Sequence, residues 1–439
     1  MMTALQHSLT TRLCAATCLA AVPFVAANSA LAQDSVKIGF VYFLSGAGAA
    51  YGTPARDGAK LMVDALNAGE VPAPYQATGI NGVSIEPIFI DEAGGVRKQI
   101  AEYRRLVERE GVDMVLGYTS SSNCNALAPI IEELQTLTNF FHCGNPQLFE
   151  EIDTDPVYAF RSSPMGTMDQ VALARYVTEE FPDIKTVSGV NQDYSWGQDN
   201  WAEFQAAMNV LSDDVEYKNA LFPSLGAGEY GSELSALASD PADLTFVSFW
   251  GGDADALMLQ AASRGLGSST RFAFTLGTGA IDGLGKNTID GTIVGSRGPN
   301  SYLAKETELS TWFADAYQKA YDKYPPMAAY VAAQGLLAVK AAAEAAGAPA
   351  GDLPDTDAIV SAFEGMTFDT VNGYPISMAL HNGHQGISDT GYGVYTGWDS
   401  EKDAPIIEQI KIYDAKCVNP PEGQKALEWI KSGFEGASC

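Results

Sequence analysis

Short, continuous apolar runs alternate along the chain with stretches in which apolar residues recur three and four positions apart. The runs are typical of strands buried on both faces, and the stretches are typical of the helices that cover them. The runs predict strands over residues 36–44, 83–90, 113–116, 139–142, 186–190, 244–250 and 271–276. This alternation predicts an α/β protein whose parallel sheets carry helices on both faces, with the first helix beginning at Thr53-Pro54.

The alternation occurs twice, with an extended segment at 156–163 between the two parts. Two more helices are predicted over 309–317 and 326–346, and hairpin-like strands around Asn382-Gly383 and over 391–398. No Gly/Ser-rich linker separates the two parts. We therefore expect two doubly wound lobes of similar size, joined by strands and not by a flexible tether.

A run of serines follows the strand at 113–116 and precedes a helix that the apolar spacing of residues 126–134 predicts. Ser120, Ser121 and Ser122 would add hydroxyls to the free N–H groups at the positive end of that helix, a combination that suits a carboxylate or another small anion. The alternative, which this segment alone favours, is a capped helix without a ligand.

Two loops of the first part follow strands at the same sheet edge. The segment 45–52 resembles a dinucleotide fingerprint, but Tyr51 occupies its third glycine position, so we expect a loop that approaches a ligand with Tyr51 as an aromatic wall. The fourth predicted strand ends at His142, Cys143 and Gly144, at the edge where open parallel sheets bind ligands. His142 either donates to a ligand or is packed and hydrogen-bonded locally.

Aromatic residues follow two strands of the second part. Tyr194, Trp196 and Trp250 lie in loops equivalent to those of the first part. Such side chains supply large rigid surfaces with one polar atom, which suits a ligand cleft. Packing of Trp196 in the core is the alternative.

The amino terminus is typical of a secretory signal peptide over residues 1–32. Arg12 precedes the apolar segment 13–27, and Ala30-Leu31-Ala32 is a cleavage site. No second apolar run is long and uncharged enough to span a bilayer. The net charge of −28 argues against nucleic acids and anionic membranes as partners.

Four cysteines follow the signal segment: Cys124, Cys143, Cys417 and Cys439. Four cysteines allow three pairings, and we favour the local one, Cys124–Cys143 and Cys417–Cys439, in an oxidising compartment. Free buried thiols are the alternative.

Motifs for catalysis and metal binding are scarce. The chain has no G-x-S-x-G or H-E-x-x-H motif, and only His142, His381 and His384 follow the signal segment. His381 and His384 flank a predicted turn, so we expect solvated side chains and no metal site. We predict a protein that binds a ligand without a cofactor, a metal or catalytic residues.

The order and spacing of several short segments resemble the leucine/isoleucine/valine-binding protein family, the type I periplasmic receptors of ABC transporters. The segments are Lys37-Ile38-Gly39, Leu44-Ser45-Gly46, Tyr51-Gly52, Asp91-Glu92, 112–117 with Ser121, Phe160-Arg161 and 193–197. The resemblance implies lobe 1 over 36–162 and 297–372, lobe 2 over 163–296 and 373–416, a tail over 417–439, and a hinge of three crossing strands. It also implies a disulfide between Cys124 and Cys143.

The resemblance further implies which residues hold the ligand. Ser121 would bind a carboxylate, assisted by the backbone near His142 and Gly144, with an aromatic lining from Tyr51, Tyr194, Trp196 and Trp250. Gly144 replaces a threonine of the family, and Thr278 replaces the acidic residue that receives an amino acid's ammonium. Because a buried ammonium requires a partner, either Asp253 substitutes or the ligand is an aromatic or aliphatic carboxylate without an α-ammonium.

The function implied is that of an exported, monomeric receptor in the periplasm. It would close on a small carboxylate, such as a branched-chain amino acid or a related acid, and deliver it to permease subunits in the inner membrane. The alternatives are a secreted enzyme acting on a small acid and a ligand-sensing module for a signalling partner.

Overall fold

The computed structural model describes residues 35–439, which form two β-sheets with helices on their faces; the predicted signal segment lies outside the described residues. The strands are β1 (Val36–Tyr42), β2 (Ile85–Asp91), β3 (Met114–Gly117), β4 (Thr138–Phe140), β5 (Ala159–Arg161), β6 (Thr186–Asn191), β7 (Glu216–Leu221), β8 (Leu244–Ser248), β9 (Arg271–Phe274), β10 (Ile293–Ser296), β11 (Thr367–Phe368), β12 (Ile376–Leu380), β13 (Gln385–Ile387), β14 (Thr390–Asp399) and β15 (Ala404–Tyr413).

The helices fill the connections between these strands. They are α1 (Ala49–Ala68), α2 (Val96–Arg105), α3 (Ser121–Leu134), α4 (Gly166–Glu180), α5 (Ser195–Leu211), α6 (Gly231–Ser239), α7 (Gly251–Ser263), α8 (Gly277–Leu284), α9 (Glu308–Tyr321), α10 (Met327–Ala345), α11 (Thr356–Phe363), α12 (Ala415–Val418) and α13 (Ala426–Lys431).

Each sheet is parallel except at the edge formed by late strands. The first has the order β11-β12-β13-β5-β4-β3-β1-β2, and β11, β12 and β13 pair with one another antiparallel. The second has the order β15-β14-β10-β9-β8-β6-β7, with β14 and β15 antiparallel to their neighbours. The prediction of two α/β lobes with doubly wound, mainly parallel sheets is therefore confirmed.

The chain passes between the two sheets three times. The passages follow β5, β10 and β13, because β5 and β13 belong to the first sheet whereas β6, β10 and β14 belong to the second. Three passages, as expected of a hinge, hold the lobes side by side.

Sheet membership differs from the predicted division of the chain in one place. β12 and β13 pair in the first sheet, so its late part extends to Ile387, whereas the prediction returned to lobe 2 at residue 373. The reason is that β13 pairs in parallel with β5, and this pairing places the third passage after β13.

The segment 417–439, predicted as a tail, is folded onto the second lobe. Trp429 and Ile430 of α13 are buried in the same apolar cluster as residues of α4 and α5, and Cys417 forms a disulfide with Cys439. This segment is therefore part of the second lobe's core.

The first helix begins earlier than Thr53-Pro54, the predicted start. α1 starts at Ala49, and Pro54 lies inside it. Gly52, in the first turn of α1, packs against the preceding loop, since a Cβ there would lie 1.9 Å from the Phe43 carbonyl oxygen. The chain therefore enters the helix directly from the Gly-rich loop.

Candidate functional site

The loops that follow the strands of both sheets meet in one cleft. The first lobe contributes the start of α1, the start of α3 and the residues after β4, and the second lobe contributes the starts of α5, α7 and α8. All of these lie at carboxyl ends of parallel strands, where α/β sheets bind ligands. Ten predicted site residues are buried in the closed arrangement: Tyr51, Ser120, Ser121, His142, Cys143, Gly144, Trp196, Trp250, Asp253 and Thr278.

Glu92 binds two backbone amides that directly precede α3. Glu92, which follows β2 and is fully buried, accepts the N–H groups of Thr119 at 2.8 Å and Ser120 at 2.9 Å. It also accepts the side-chain amide of Asn123 at 3.0 Å. A carboxylate of the chain thus holds the loop before the helix, while the anion site predicted at the serine run stays a prediction.

Two opposing effects act on the pKa of Glu92. Burial raises its pKa to about 7, although the N–H groups of Ser120, Asn123 and Thr119 favour the charged form. Two predicted serines remain beside this cap: the Ser121 hydroxyl is fully buried without a hydrogen-bond partner among the described residues, and Ser122 is only half-buried. Of the serine run, Ser121 is therefore the hydroxyl available inside the cleft.

Aromatic rings form a continuous wall across the two lobes. The ring centroid of Tyr51 lies 5.1 Å from that of His142 and 5.9 Å from that of Trp250. Trp250 donates its indole N–H to the Tyr194 hydroxyl at 2.9 Å, and Tyr194 lies 6.1 Å from Trp196. The structure thus brings these five predicted residues, from loops of both lobes, into one cleft.

Packing of Trp196 in the core, the alternative from the sequence, also describes part of its role. Trp196 and Trp250 belong to the apolar cluster built mainly from the first lobe, although both lie in loops of the second. Their apolar surfaces therefore help to hold the lobes together, while the Trp196 indole N–H has no partner among the described residues.

Several polar atoms in the cleft are buried without a partner among residues 35–439. Such atoms are costly unless something in the folded protein bonds to them. They are the hydroxyls of Tyr51, Ser121 and Thr278, the His142 Nε2, the Trp196 Nε1 and the Arg297 Nη2. Because both lobes supply them, the arrangement is that of a site which surrounds a small polar molecule.

Arg297 is a cleft residue that sequence reasoning missed. It follows β10 at the second passage between the lobes and is 1% exposed. Its Nε donates to Asp169 at 2.9 Å and its Nη1 donates to the His142 carbonyl at 3.0 Å. No motif surrounds Arg297 in the sequence, and its only early signal was its position after a short apolar run.

The charge of Arg297 affects its neighbours. Burial, followed by the Arg297 charge, lowers the pKa of His142 well below its ordinary value, so the imidazole is neutral at physiological pH. Burial raises the pKa of Tyr51, and the Arg297 charge opposes that shift. A neutral histidine and a protonated tyrosine can each offer a hydrogen bond beside this fixed positive charge.

Asp253, the predicted substitute for an ammonium receptor, is engaged within its own lobe. One oxygen of its carboxylate accepts the Gln192 side-chain amide at 2.9 Å and the Gly226 N–H at 2.6 Å. Thr278, whose family counterpart is acidic, is fully buried and offers only a hydroxyl. Neither residue supplies a free carboxylate to a ligand.

Gly144, the other departure from the family, makes room for Arg297. A Cβ at Gly144 would lie 2.4 Å from the Arg297 Nη2, so a side chain would displace the guanidinium. The neighbouring Cys143 forms a disulfide with Cys124, and Cys417 pairs with Cys439, which is the local pairing we favoured. Cys143 therefore anchors the loop after β4.

A groove of about 940 Å³ adjoins the cleft. Tyr51 and Gly251 line it, together with Asp282, Tyr302 and Tyr324. The Tyr302 hydroxyl donates to Asp282 at 3.0 Å, and Tyr302 stacks on Tyr324. This groove brings solvent close to Tyr51, whereas the unpartnered atoms converge in the cleft itself.

His384, whose side chain the sequence predicted to be solvated, is buried and stacks on Phe160, so that prediction was wrong. Residues 35–439 contain no group of three or more His, Cys, Asp or Glu side chains that could hold a metal ion. Within the same residues, none of the helices combines the length and apolar character needed to cross a bilayer.

A family model described as periplasmic binding protein matches residues 35–396, most of the chain. The chain belongs to the periplasmic binding protein family. The resemblance inferred from the short segments is thereby confirmed, and the observed sheets and passages are those of this family's fold.

Relatives within the family are distant in sequence. A leucine-, isoleucine-, valine-, threonine- and alanine-binding protein of Pseudomonas aeruginosa is 25% identical over 257 residues, which cover 58% of this chain and 63% of that relative. The chain thus spans less than two thirds of the length of this relative.

Solved structures share the fold over nearly their whole length. An ABC transporter solute-binding protein of Rhodopseudomonas palustris in complex with 3,4-dihydroxybenzoic acid has a TM-score of 0.74 at 20% identity, with 87% of this chain and 98% of that one covered. A branched-chain amino acid transporter substrate-binding protein of Streptococcus pneumoniae with isoleucine has a TM-score of 0.70 at 19% identity, covering 87% and 99%.

Proposed function

We propose that this protein is the exported solute-binding receptor of an ABC transporter and that it closes its two lobes on a small organic carboxylate. The observation that carries this proposal is the set of buried, unpartnered polar atoms that both lobes direct into one aromatic cleft. A site closed on both sides surrounds a ligand and needs no reacting side chain.

Contacts between the lobes support closure. The Gly252 N–H donates to the Ala47 carbonyl at 3.0 Å, and the Gly166 N–H donates to the Gly144 carbonyl at 2.6 Å. Each bond joins a residue of one lobe to a residue of the other. A ligand that contacts both lobes favours the closed form because it gains those contacts only when the lobes meet.

The ligand class follows from the charge in the cleft and from the relatives. Arg297 places a positive charge there, and the related proteins are named for leucine, isoleucine and valine or were solved with an aromatic acid. We infer a branched-chain amino acid or an aromatic or aliphatic acid as the ligand. Permease subunits in the inner membrane, export through residues 1–32 to the periplasm, and a monomeric state belong to the same proposal.

A thermal-shift screen tests this function directly. The purified protein without its signal segment is melted with leucine, isoleucine, valine, benzoate, 4-hydroxybenzoate and 3,4-dihydroxybenzoate, with glucose and putrescine as uncharged and cationic controls. A ligand present at about a hundredfold above its Kd stabilises the folded protein by about 2.7 kcal/mol, so a true ligand raises Tm in a saturable way.

The fate of the ligand separates a receptor from an enzyme. After prolonged incubation with the protein, the ligand is recovered and its mass is measured; a receptor returns it unchanged. Conversion of the ligand would favour the secreted enzyme, and the absence of a shift with every acid would refute the receptor for carboxylates.

A further inference from the structure

Glu92 accepts the N–H groups of Thr119 and Ser120 just before α3, whereas Arg297 is the fully buried cation among the cleft residues described above. We propose that Arg297, together with the Trp196 indole and the Asn200 amide, binds the carboxylate of the ligand. This inference rests on the proposed function and deepens it by naming the residues that recognise the ligand's charge.

Arg297 is held with one terminal nitrogen free. Asp169 accepts its Nε and the His142 carbonyl accepts its Nη1, which fixes the plane of the guanidinium. Its Nη2 is buried and has no partner among the described residues. A guanidinium nitrogen is a donor only, so this atom calls for an acceptor, and a carboxylate is the acceptor whose charge and geometry suit it.

Gly144 and Gly166 lie beside this part of the cleft. The Gly166 N–H donates to the Gly144 carbonyl at 2.6 Å, which joins the loop after β4 to the start of α4. A Cβ at Gly144 would lie 2.4 Å from the Arg297 Nη2, so the nitrogen sits directly above that glycine. The guanidinium therefore occupies the space that a side chain at Gly144 would fill.

Two further side chains with unpartnered donors, Trp196 and Asn200, lie beside Gly166. A Cβ at Gly166 would lie 3.5 Å from the Trp196 Nε1 and 2.9 Å from the side-chain oxygen of Asn200. The indole N–H and the Asn200 amide nitrogen are both unpartnered among the described residues, and their side chains are 2% and 1% exposed. Trp196 and Asn200 lie four residues apart on one face of α5.

The Arg297 Nη2 and the Trp196 Nε1 therefore lie beside one pair of hydrogen-bonded glycines, and the Asn200 side chain, whose amide nitrogen is the third unpartnered N–H group, lies beside the same pair. Two of the three, the guanidinium and the indole, can only donate, so the ligand must supply acceptor atoms, and a carboxylate supplies two oxygens without a proton of its own. The Arg297 guanidinium, which Asp169 already pairs through Nε, adds a charge-assisted hydrogen bond through Nη2. The serine hydroxyl and the aromatic wall would then contact the uncharged part of the ligand.

The test compares acids with their neutral amides. Kd values are measured by isothermal titration calorimetry for benzoate and benzamide and for leucine and leucinamide, on the wild type, Arg297→Gln, Trp196→Phe and Ser121→Ala. Arg264→Gln, an exposed arginine of the second lobe, is the matched control.

The expected result is a loss of charge discrimination at Arg297. Arg297→Gln raises the Kd for the acid by about a hundredfold, so that the Kd values of the acid and its amide become similar. Trp196→Phe raises the Kd for the acid by about tenfold, the size expected for one lost hydrogen bond to a charged group. Arg264→Gln leaves all values within about twofold. A merely structural role of Arg297 would weaken the acid and its amide equally.

Three results would overturn the anchor. The first is that Arg297→Gln binds the acid within about twofold of wild type. The second is that this variant loses equal affinity for the acid and for its amide. The third is that only Ser121→Ala loses the preference for the acid, and each result would place the anion elsewhere. Should Arg297→Gln fail to fold, Trp196→Phe decides, because it removes one donor and keeps a ring. If the wild type binds none of the acids, the proposed function itself fails and the anchor with it.

Discussion

Glu92 determines, at the scale of single residues, how the start of α3 is used. Its carboxylate accepts the amides that precede the helix, so the positive end of α3 is neutralised from within the protein. Ser121, the first residue of α3, keeps a buried hydroxyl without a partner among residues 35–439. Ser121 therefore offers a ligand a buried, neutral hydroxyl at the start of α3.

Ser121→Ala tests this division of roles. We expect the substitution to weaken binding of the best acid and of its neutral amide alike, by about 1 kcal/mol, the net contribution of a neutral hydrogen bond. Calorimetric titration of both ligands provides the measurement. Ser122→Ala, on a half-buried neighbour, is the control and should change neither value. A loss above about 3 kcal/mol confined to the acid would restore Ser121 as the anion site.

The residues of the site differ in how visible they are in the sequence. Tyr51, His142, Trp196 and Trp250 each lie at or after the carboxyl end of a predicted strand, and that position alone directs them to the cleft. Arg297 also follows a strand, but its role depends on Asp169 and on the His142 carbonyl, which lie 128 and 155 residues away in the chain. Contacts at such separations have no periodic signature.

The starts of α1 and α7 meet, at the scale of secondary-structure elements, where the two lobes touch. The Gly252 N–H donates to the Ala47 carbonyl, and Gly251 adopts a φ of 61°, a conformation that favours glycine. A Cβ at Gly252 would lie 3.3 Å from the Ala47 oxygen. Two small residues at the beginning of α7 thus allow the lobes to come close enough for a backbone hydrogen bond.

Gly252→Val should make closure unfavourable. The added side chain must displace the Ala47 carbonyl only when the lobes are closed, so we expect ligand affinity to fall by at least about tenfold while the Tm of the unliganded protein changes little. Titration calorimetry gives the affinity, and small-angle scattering with and without ligand reports whether the protein still becomes compact.

Ala262→Val is the matched control because it adds a branched side chain to an exposed position of the same helix. It should leave affinity and compaction unchanged. Wild-type affinity in Gly252→Val would show that closure does not require this contact.

Elements buried in the sheets follow the apolar pattern more closely than those at the edges. β3 and β8 are fully buried, and both coincide with predicted strands to within one residue at the start and two at the end. β7, with the sequence EYKNAL, is a half-exposed edge strand that pairs only with β6. It was not predicted, because an edge strand of this kind carries no continuous apolar run. Its pairing depends on a neighbour and not on its own apolar residues.

Acidic side chains that are buried, as Glu92 is, or half-buried, as Asp199 and Asp282 are, influence the whole molecule. Burial is the largest cause that raises the pKa values of Glu92, Asp199 and Asp282 to about 7 each. The folded protein therefore holds protons that the unfolded chain releases near pH 4 to 5. Between those values and pH 7 the folded state binds more protons, so stability decreases as pH rises through this window.

We expect the free energy of unfolding to be larger at about pH 5.5 than at about pH 7.5, by at least about 2 kcal/mol. The net charge of −28 acts in the same direction, since partial protonation reduces self-repulsion. Urea unfolding followed by circular dichroism at both pH values measures the difference.

Asp199→Asn provides the control, because an amide resembles the protonated acid at every pH and should reduce the difference between the two pH values. Stability that increases from about pH 5.5 to about pH 7.5 would contradict the expected protonation of these buried acids.

Apolar periodicity by itself determined that this chain forms two α/β lobes and that its polar and aromatic loop residues follow the carboxyl ends of strands. These features are local, because a buried strand or helix carries its pattern within its own residues. Tertiary structure alone decided that Glu92 fills the start of α3, that β13 joins the first sheet and that Arg297 enters the cleft. Each of these depends on partners far apart in the chain, and only the packed lobes bring them within hydrogen-bond distance.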